Sequence, residues 1–278
     1  MTAINTNVKS LIAQQSLTVN NRALSKTMEQ LSTGKRINSA SDDAAGLSIS
    51  NKMTAQIRGL NQAVRNGNDA ISMIQTAEGA LNEVTNMLQR MRELAVQSVN
   101  GTNSTADRTS LDAEYDQLFA EISRISDKTT WNGMDIMGNG ASATSGITTF
   151  QVGPAASDSV IVTFADVSQL GGMTNISAGG IGLVASATAA ITDLDQAIST
   201  VDAYRSTLGA VVNRLNYAAD NLTNISTNTA ASRSRILDTD YAAATTELAR
   251  TQIIQQAATA MLAQANQSSS SVLSLLQQ

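Results

Sequence analysis

Between positions 53 and 95 apolar residues recur every three or four places, and this spacing constrains the chain more than any other feature. Met53, Ile57, Leu60, Val64, Gly67, Ile71 and Ile74 step alternately by four and three, and Ala77, Leu81, Val84, Leu88, Met91 and Ala95 resume after one extra three-residue step. A 3.5-residue repeat aligns these side chains along one seam of a helix, as in a coiled coil, and the extra step reads as a slip in that seam. At ~1.5 Å per residue the helix is about 65 Å long, which a compact globule does not accommodate. The single proline, Pro154, lies far from it, so little breaks such helices.

Flanking signals set the ends. Ser39-Ala40-Ser41-Asp42 fits a capping box before the apolar run, and Asn100-Gly101 closes it. Ser104-Thr105-Ala106-Asp107 offers a second cap, after which Leu111, Tyr115, Leu118, Ile122 and Ile125 continue the repeat on a shorter helix that folds back antiparallel. Trp131-Asn132-Gly133 marks a turn. From about residue 138 to 182 Gly, Ser, Thr and Ala dominate, and the runs Thr148 to Val152 and Val160 to Phe164 read as a β-hairpin around Gly153-Pro154. Ile191, Leu194, Ile198, Val201, Leu208, Val212, Leu215, Leu222 and Ile225 define a third long helix, with Thr192, Asp193 or Asp195 where a cap would lie.

The two ends mirror each other. Ile4, Val8, Leu11, Leu24, Met28 and Leu31 share one face near the N-terminus; Leu237, Tyr241, Ala244, Leu248, Ile254, Ala258, Met261, Ala265, Val272 and Leu276 form a stripe near the C-terminus. Each segment is too thinly apolar to stand alone as a helix in water. Paired, they still leave apolar surface, and that surface asks for other copies. The predicted fold is mainly α: a discontinuous, long antiparallel helical coiled-coil bundle with a small β-hairpin region, its N- and C-terminal helices paired as a separate core domain. The predicted division is 1–42 with 236–278 for that core, 43–140 with 183–235 for a helical spoke, and 141–182 for a short variable insertion.

Composition removes whole classes of function. The chain holds no His and no Cys. Imidazole bases, thiolate nucleophiles, disulfides and ordinary zinc sites are therefore excluded, no catalytic, metal or cofactor site is expected, and the reading is of a structural protein. The net charge of −5 comes without a basic run, which argues against nucleic acid as a partner. No segment has the apolar length to insert in a membrane, and the first residues lack the pattern of a cleavable signal peptide.

Several long motifs in register carry a family resemblance. INTNVKSLIAQQSL at the start, LSTGKRINSASDDAAGLSISNKM at 31–53, LQRMRELAVQSVNGTNS at 88–104, the WNG turn followed by MDIM, SRILDTDYAAATTELARTQIIQQAATAMLAQANQ and the terminal VLSLL resemble bacterial flagellins. The likeness covers about 1–140 and 185–276. Trp131 stands where the family usually has Phe, the run after Gln267 lacks a common Pro, and the middle is short, so the chain resembles a minimal form without large outer domains. The resemblance implies a homopolymer: a subunit of the helical flagellar filament, secreted unfolded through the flagellar type III apparatus, after a transient cytoplasmic stage, and added at the tip. It implies as partners the cap and hook–filament junction proteins and a cytoplasmic export chaperone at the C-terminal helix. Filament core assembly would fall to Ile4, Val8, Leu11, Leu24, Met28, Leu31, Leu248, Ile254, Met261, Val272 and Leu276. A hook–filament junction protein of the same superfamily is the alternative.

Gln89, Arg90, Leu94, Gln97 and Glu114 match positions that form the contact in flagellins sensed by the vertebrate flagellin-sensing Toll-like receptor. The competing reading makes Arg90 and Glu114 solvated, or places them against neighbouring subunits. Asp42, Asp43, Asp238 and Asp240 read as helix-start residues, and Arg124, Arg233 and Arg235 as members of weak ion pairs.

Overall fold

The computed structural model describes residues 7–137, 146–167, 171, 173–176 and 180–276, with side chains described as far as residue 267 apart from that of Thr174. Helices α1 (Val8–Thr33), α2 (Ala44–Val99) and α3 (Thr105–Lys128) come first. Strands β1 (Thr130–Trp131), β2 (Met134–Asp135), β3 (Ile147–Gln151) and β4 (Ser159–Thr163) follow, then the single turn α4 (Met173–Ile176) and the helices α5 (Val184–Leu237) and α6 (Tyr241–Leu276). The chain forms two compact units, Met1–Ile57 with Thr227–Gln278, and Arg58–Ser226. These boundaries fall inside α2 and α5, whereas the sequence division followed the capping signals near residues 42 and 236.

In the unit Arg58–Ser226 the α2 seam is an unbroken heptad. Leu60, Ala63, Ala70, Ile74, Ala77, Leu81, Val84, Leu88, Met91 and Ala95 are all buried. The expected slip is absent because Ala63 and Ala70 occupy seam positions that the larger Val64 and Ile71 seemed to claim; those two lie half-buried beside it. The same exchange occurs on α5, where Ala190 and Ala197 are buried and Ile191 and Ile198 only partly so. Close helix approach needs small side chains at the seam, and alanine also carries the best helix propensity. Tyr115 and Ile122 of α3 complete the core with Val160, Val162 and Phe164 of the hairpin. The hairpin strands start one residue earlier than predicted, with Phe150 opposite Val160. Val160 and Val162 face inward and Ile161 outward, the period of a half-buried strand.

The Ser104 cap is as expected: its hydroxyl accepts from the Asp107 N–H at 3.2 Å and the Asp107 carboxylate accepts from the Ser104 N–H at 2.9 Å. Asn132 and Gly133, with φ of 48° and 77°, make the tight turn between β1 and β2. Helix α5 starts at Val184, ahead of the expected cap, so Thr192, Asp193 and Asp195 are interior residues. Asp195 instead accepts from Arg92 Nε at 2.6 Å.

In the unit Met1–Ile57 with Thr227–Gln278, Asn7 caps α1, accepting from the Ser10 N–H at 3.1 Å, and Gly34 ends it at φ 69°. Asp43, one residue beyond the expected box, caps α2 by accepting from the Gly46 N–H at 2.8 Å. The Asp42 carboxylate accepts from the main-chain N–H groups of Asn38 at 3.2 Å and Ser39 at 3.1 Å and pairs with Lys26 at 2.9 Å. Those donors hold the Asp42 carboxyl well below the usual carboxylate range, Lys26 contributing most. Asp240 caps α6, taking the Ala242 N–H at 2.9 Å. Between the helix ends, Lys35 and Asp238 form an antiparallel bridge: the Arg36 N–H donates to the Leu237 carbonyl at 2.7 Å and the Thr239 N–H to the Gly34 carbonyl at 3.0 Å.

Candidate functional site

From that bridge α1 and α6 run antiparallel against each other. Asn20 Nδ2 donates to the Thr251 carbonyl at 2.8 Å, Asn7 Nδ2 to the Ala265 carbonyl at 3.0 Å, and Gln255 Nε2 to Asn21 Oδ1 at 3.1 Å. The buried residues of α1 are Ser10, Asn20 and Thr27, and those of the described part of α6 are Ala244 and Thr251. All are polar or small. Large apolar side chains are divided: Leu17, Leu24 and Leu31 on α1 and Leu248 and Leu262 on α6 are half-buried, whereas Val8, Leu11, Ile12, Val19 and Met28 on α1 and Ile253, Ile254 and Met261 on α6 are exposed. The seam between the two helices is mixed, with leucines and alanines interspersed with buried polar residues, and further apolar side chains are left facing outward.

The structure divides the residues that the sequence reading places on one face. Leu24, Leu31 and Leu248 lie half-buried in the unit. Val8, Leu11, Met28, Ile254 and Met261 do not pack between the two helices; they face out, Met261 with 66% of its surface accessible. Ile4 and the side chains of Val272 and Leu276 lie outside the described residues. The inward faces carry a signal of their own: Ser10, Ala13, Leu17, Asn20, Leu24 and Thr27 step by three and four, as do Ala244, Leu248, Thr251, Gln255, Ala258, Leu262 and Ala265, and of these the sequence reading names only Leu24, Ala244, Leu248, Ala258 and Ala265.

An exposed apolar stripe has the chemistry by which protein surfaces associate. Fully burying a Val, Leu, Ile or Met side chain is worth about 1.5–3 kcal/mol, so a neighbour that covers several at once supplies what the pair lacks alone. Among the described residues no group of three or more Asp and Glu could hold a metal ion, and no helix is long and apolar enough to cross a membrane.

The second constellation divides. On the surface Arg90 points two nitrogens at Glu114 Oε1, at 3.0 and 2.9 Å, and a third at Glu93 Oε2 at 3.0 Å, which raises the Arg90 pKa. Gln89 and Gln97 are exposed on the same helix. Leu94, 1% exposed, belongs to the core of its unit and offers no surface to a partner in this conformation. Arg124 pairs with Glu121 on its own helix at 2.6 Å, and Arg233 donates to Thr54 Oγ1 at 3.3 Å.

Comparison with known proteins agrees with this architecture. Residues 4–141 match the model of the bacterial flagellin N-terminal helical region and residues 191–276 that of the C-terminal helical region. A flagellin of Halalkalibacterium halodurans is 46% identical over 273 residues, covering 98% of this chain and 99% of that protein. Polar flagellin F of Vibrio parahaemolyticus is 36% identical over an alignment of 376 positions, covering 98% of this chain and 99% of the other. Among solved structures, Bacillus cereus flagellin aligns with a TM-score of 0.51 at 36% identity, over 61% of this chain and 94% of that one. A protein described as flagellar hook-associated, from Vibrio parahaemolyticus, shares the fold with a TM-score of 0.60 at 14% identity, over 71% of this chain and 100% of that one.

Proposed function

Because this chain belongs to the bacterial flagellin family, we propose that the outward apolar faces of α1 and α6 are the surfaces by which its copies join into the core of the flagellar filament. The protein is a structural subunit of that filament, an extracellular homopolymer that serves swimming motility. The exposed apolar side chains carry the proposal, since a stripe comprising Val8, Leu11, Ile12 and Val19 left in water within the subunit acquires a purpose once neighbours cover it.

Around this stand finer proposals. The paired ends, residues 1–42 and 236–278, form the filament's inner core domain; 43–140 and 183–235 form the spoke, and 141–182 the insertion. The chain leaves the cell unfolded through the type III apparatus, held by a chaperone at α6 beforehand, and is added beneath the cap protein beyond the hook–filament junction proteins. A marginal pair of end helices and a chain without disulfides suit threading through a narrow channel. The exposed cluster of Arg90 and Glu114, with Gln89 and Gln97, is the candidate contact for the flagellin-sensing Toll-like receptor, with Leu94 acting only as packing beneath it.

Seeded elongation tests the core of the proposal. Purified chain added to sheared filament seeds extends them, as electron micrographs would record, and a chain ending at residue 267 does not. Failure of the full chain to extend seeds at any concentration would leave the hook–filament junction alternative, which the end-to-end identity with flagellins disfavours.

A further inference from the structure

Helix α1 has two faces that could each receive a partner helix. One carries Val8, Leu11, Ile12 and Val19, and the other turns Leu17 and Leu24, together with Ser10, Asn20 and Thr27, toward α6. Apolar attraction has no direction, and large apolar side chains lie on both faces, so burial alone does not choose between them. The structure uses the second. Resting on the filament reading above, a polymer covers both faces, and the question becomes which arrangement leaves no polar group stranded.

Asn20 answers it. It is 8% exposed, and its Nδ2 donates at 2.8 Å to the carbonyl of Thr251, itself 1% exposed. Reversing the faces would press the same amide against the apolar surface of a neighbouring copy, with no acceptor for it. A buried amide deprived of its bond costs far more than a satisfied one contributes, and a single polar residue in a helical seam selects partner and register at some expense in stability. We propose that Asn20 is a specificity-determining residue of assembly: by bonding the Thr251 carbonyl it assigns one face of α1 to its own chain and leaves the other for neighbouring copies. Gln255 and Asn21, bonded at 3.1 Å on the edge of the same pairing, report on it.

The chain has no cysteine, so an engineered pair reads out pairing without background. N21C/Q255C is oxidised with diamide after seeded elongation, and non-reducing gels separate disulfides within a chain from those between chains. In this background disulfides form within chains. Adding Asn20→Leu, which makes both faces apolar, shifts the ratio of intrachain to interchain product by about tenfold toward interchain species, the factor of one ordinary buried hydrogen bond. Asn20→Ala, which removes the amide without adding bulk, moves it the same way. The thermal unfolding of the unit Arg58–Ser226, which contains none of these residues, stays unchanged. An unchanged ratio in both variants overturns the proposal, whatever happens to elongation. If the reduced parent chain fails to extend seeds, it is the filament reading that fails.

Discussion

Arg92 Nε donates to Asp195 Oδ1 at 2.6 Å, joining α2 to α5 across 103 positions of sequence. The pair raises the Arg92 pKa, yet both side chains stand about half exposed to water. Solvent screens such a pair, so Arg92→Ala lowers the stability of its unit only slightly, and added salt shrinks the difference further. Leu88, fully buried in the seam beside it, behaves otherwise: Leu88→Ala costs about 2–5 kcal/mol through lost burial and the cavity left behind. Thermal unfolding of the two variants separates the cases.

Charges introduced on the outward stripe act on assembly and spare the subunit. Met261→Asp and Leu11→Asp leave the unfolding of Arg58–Ser226 unmoved, because both positions lie in the other unit and face water. Against a neighbour each buries an unpaired carboxylate at a cost of several kcal/mol, so seeded elongation falls by about a hundredfold or more. Light scattering after seeding measures it.

Asp42 makes the loop before α2 acid-sensitive. Its folded pKa is depressed, chiefly by Lys26, so its contribution is complete at neutral pH and disappears only as pH falls from the ordinary carboxylate range through the lowered folded value. Asp42→Asn therefore loosens residues 37–43 at neutral pH, seen as faster amide exchange. The gap from the parent persists at about pH 3 and narrows only in stronger acid.

Gly46 has no room for a side chain. A Cβ there would stand 2.5 Å from Asp43 Oδ2 and 2.7 Å from Ile37 Cδ1, the first atom belonging to the helix cap and the second to a buried residue. Gly46→Ala costs about 1–3 kcal/mol in spite of alanine's better helix propensity, since cap and loop must shift together. Amide exchange over residues 37–47 registers the loss.

Much of this molecule was readable before its structure. Helices α2 and α3, the Ser104 cap, the Asn132-Gly133 turn and the hairpin all follow from periodicity and turn chemistry acting over a few residues. Ala63, Ala70, Ala190 and Ala197 escaped notice because an apolar pattern gives weight to bulk, while close helix packing rewards its absence. The start of α5 was misplaced for a related reason: its first turns bury alanines, and a plausible Asp lay further along. The seam between α1 and α6 is harder still. Apolar residues lie on more than one face of each helix, and the buried Asn20 that meets Thr251 carries no apolar signal in the sequence.

The bridge between Lys35 and Asp238 has a consequence for how such a chain can change over time. Main-chain bonds on either side of it close everything between them into a loop whose ends meet at one place. The length of that loop is then irrelevant to the two tails, which set out from the same point with the same spacing however much is spliced in between. Relatives that align over 376 positions with this chain of 278 residues fit that account. A seal of two hydrogen bonds would let the enclosed segment lengthen, shorten or diversify under selection while the tails that meet other copies keep their geometry.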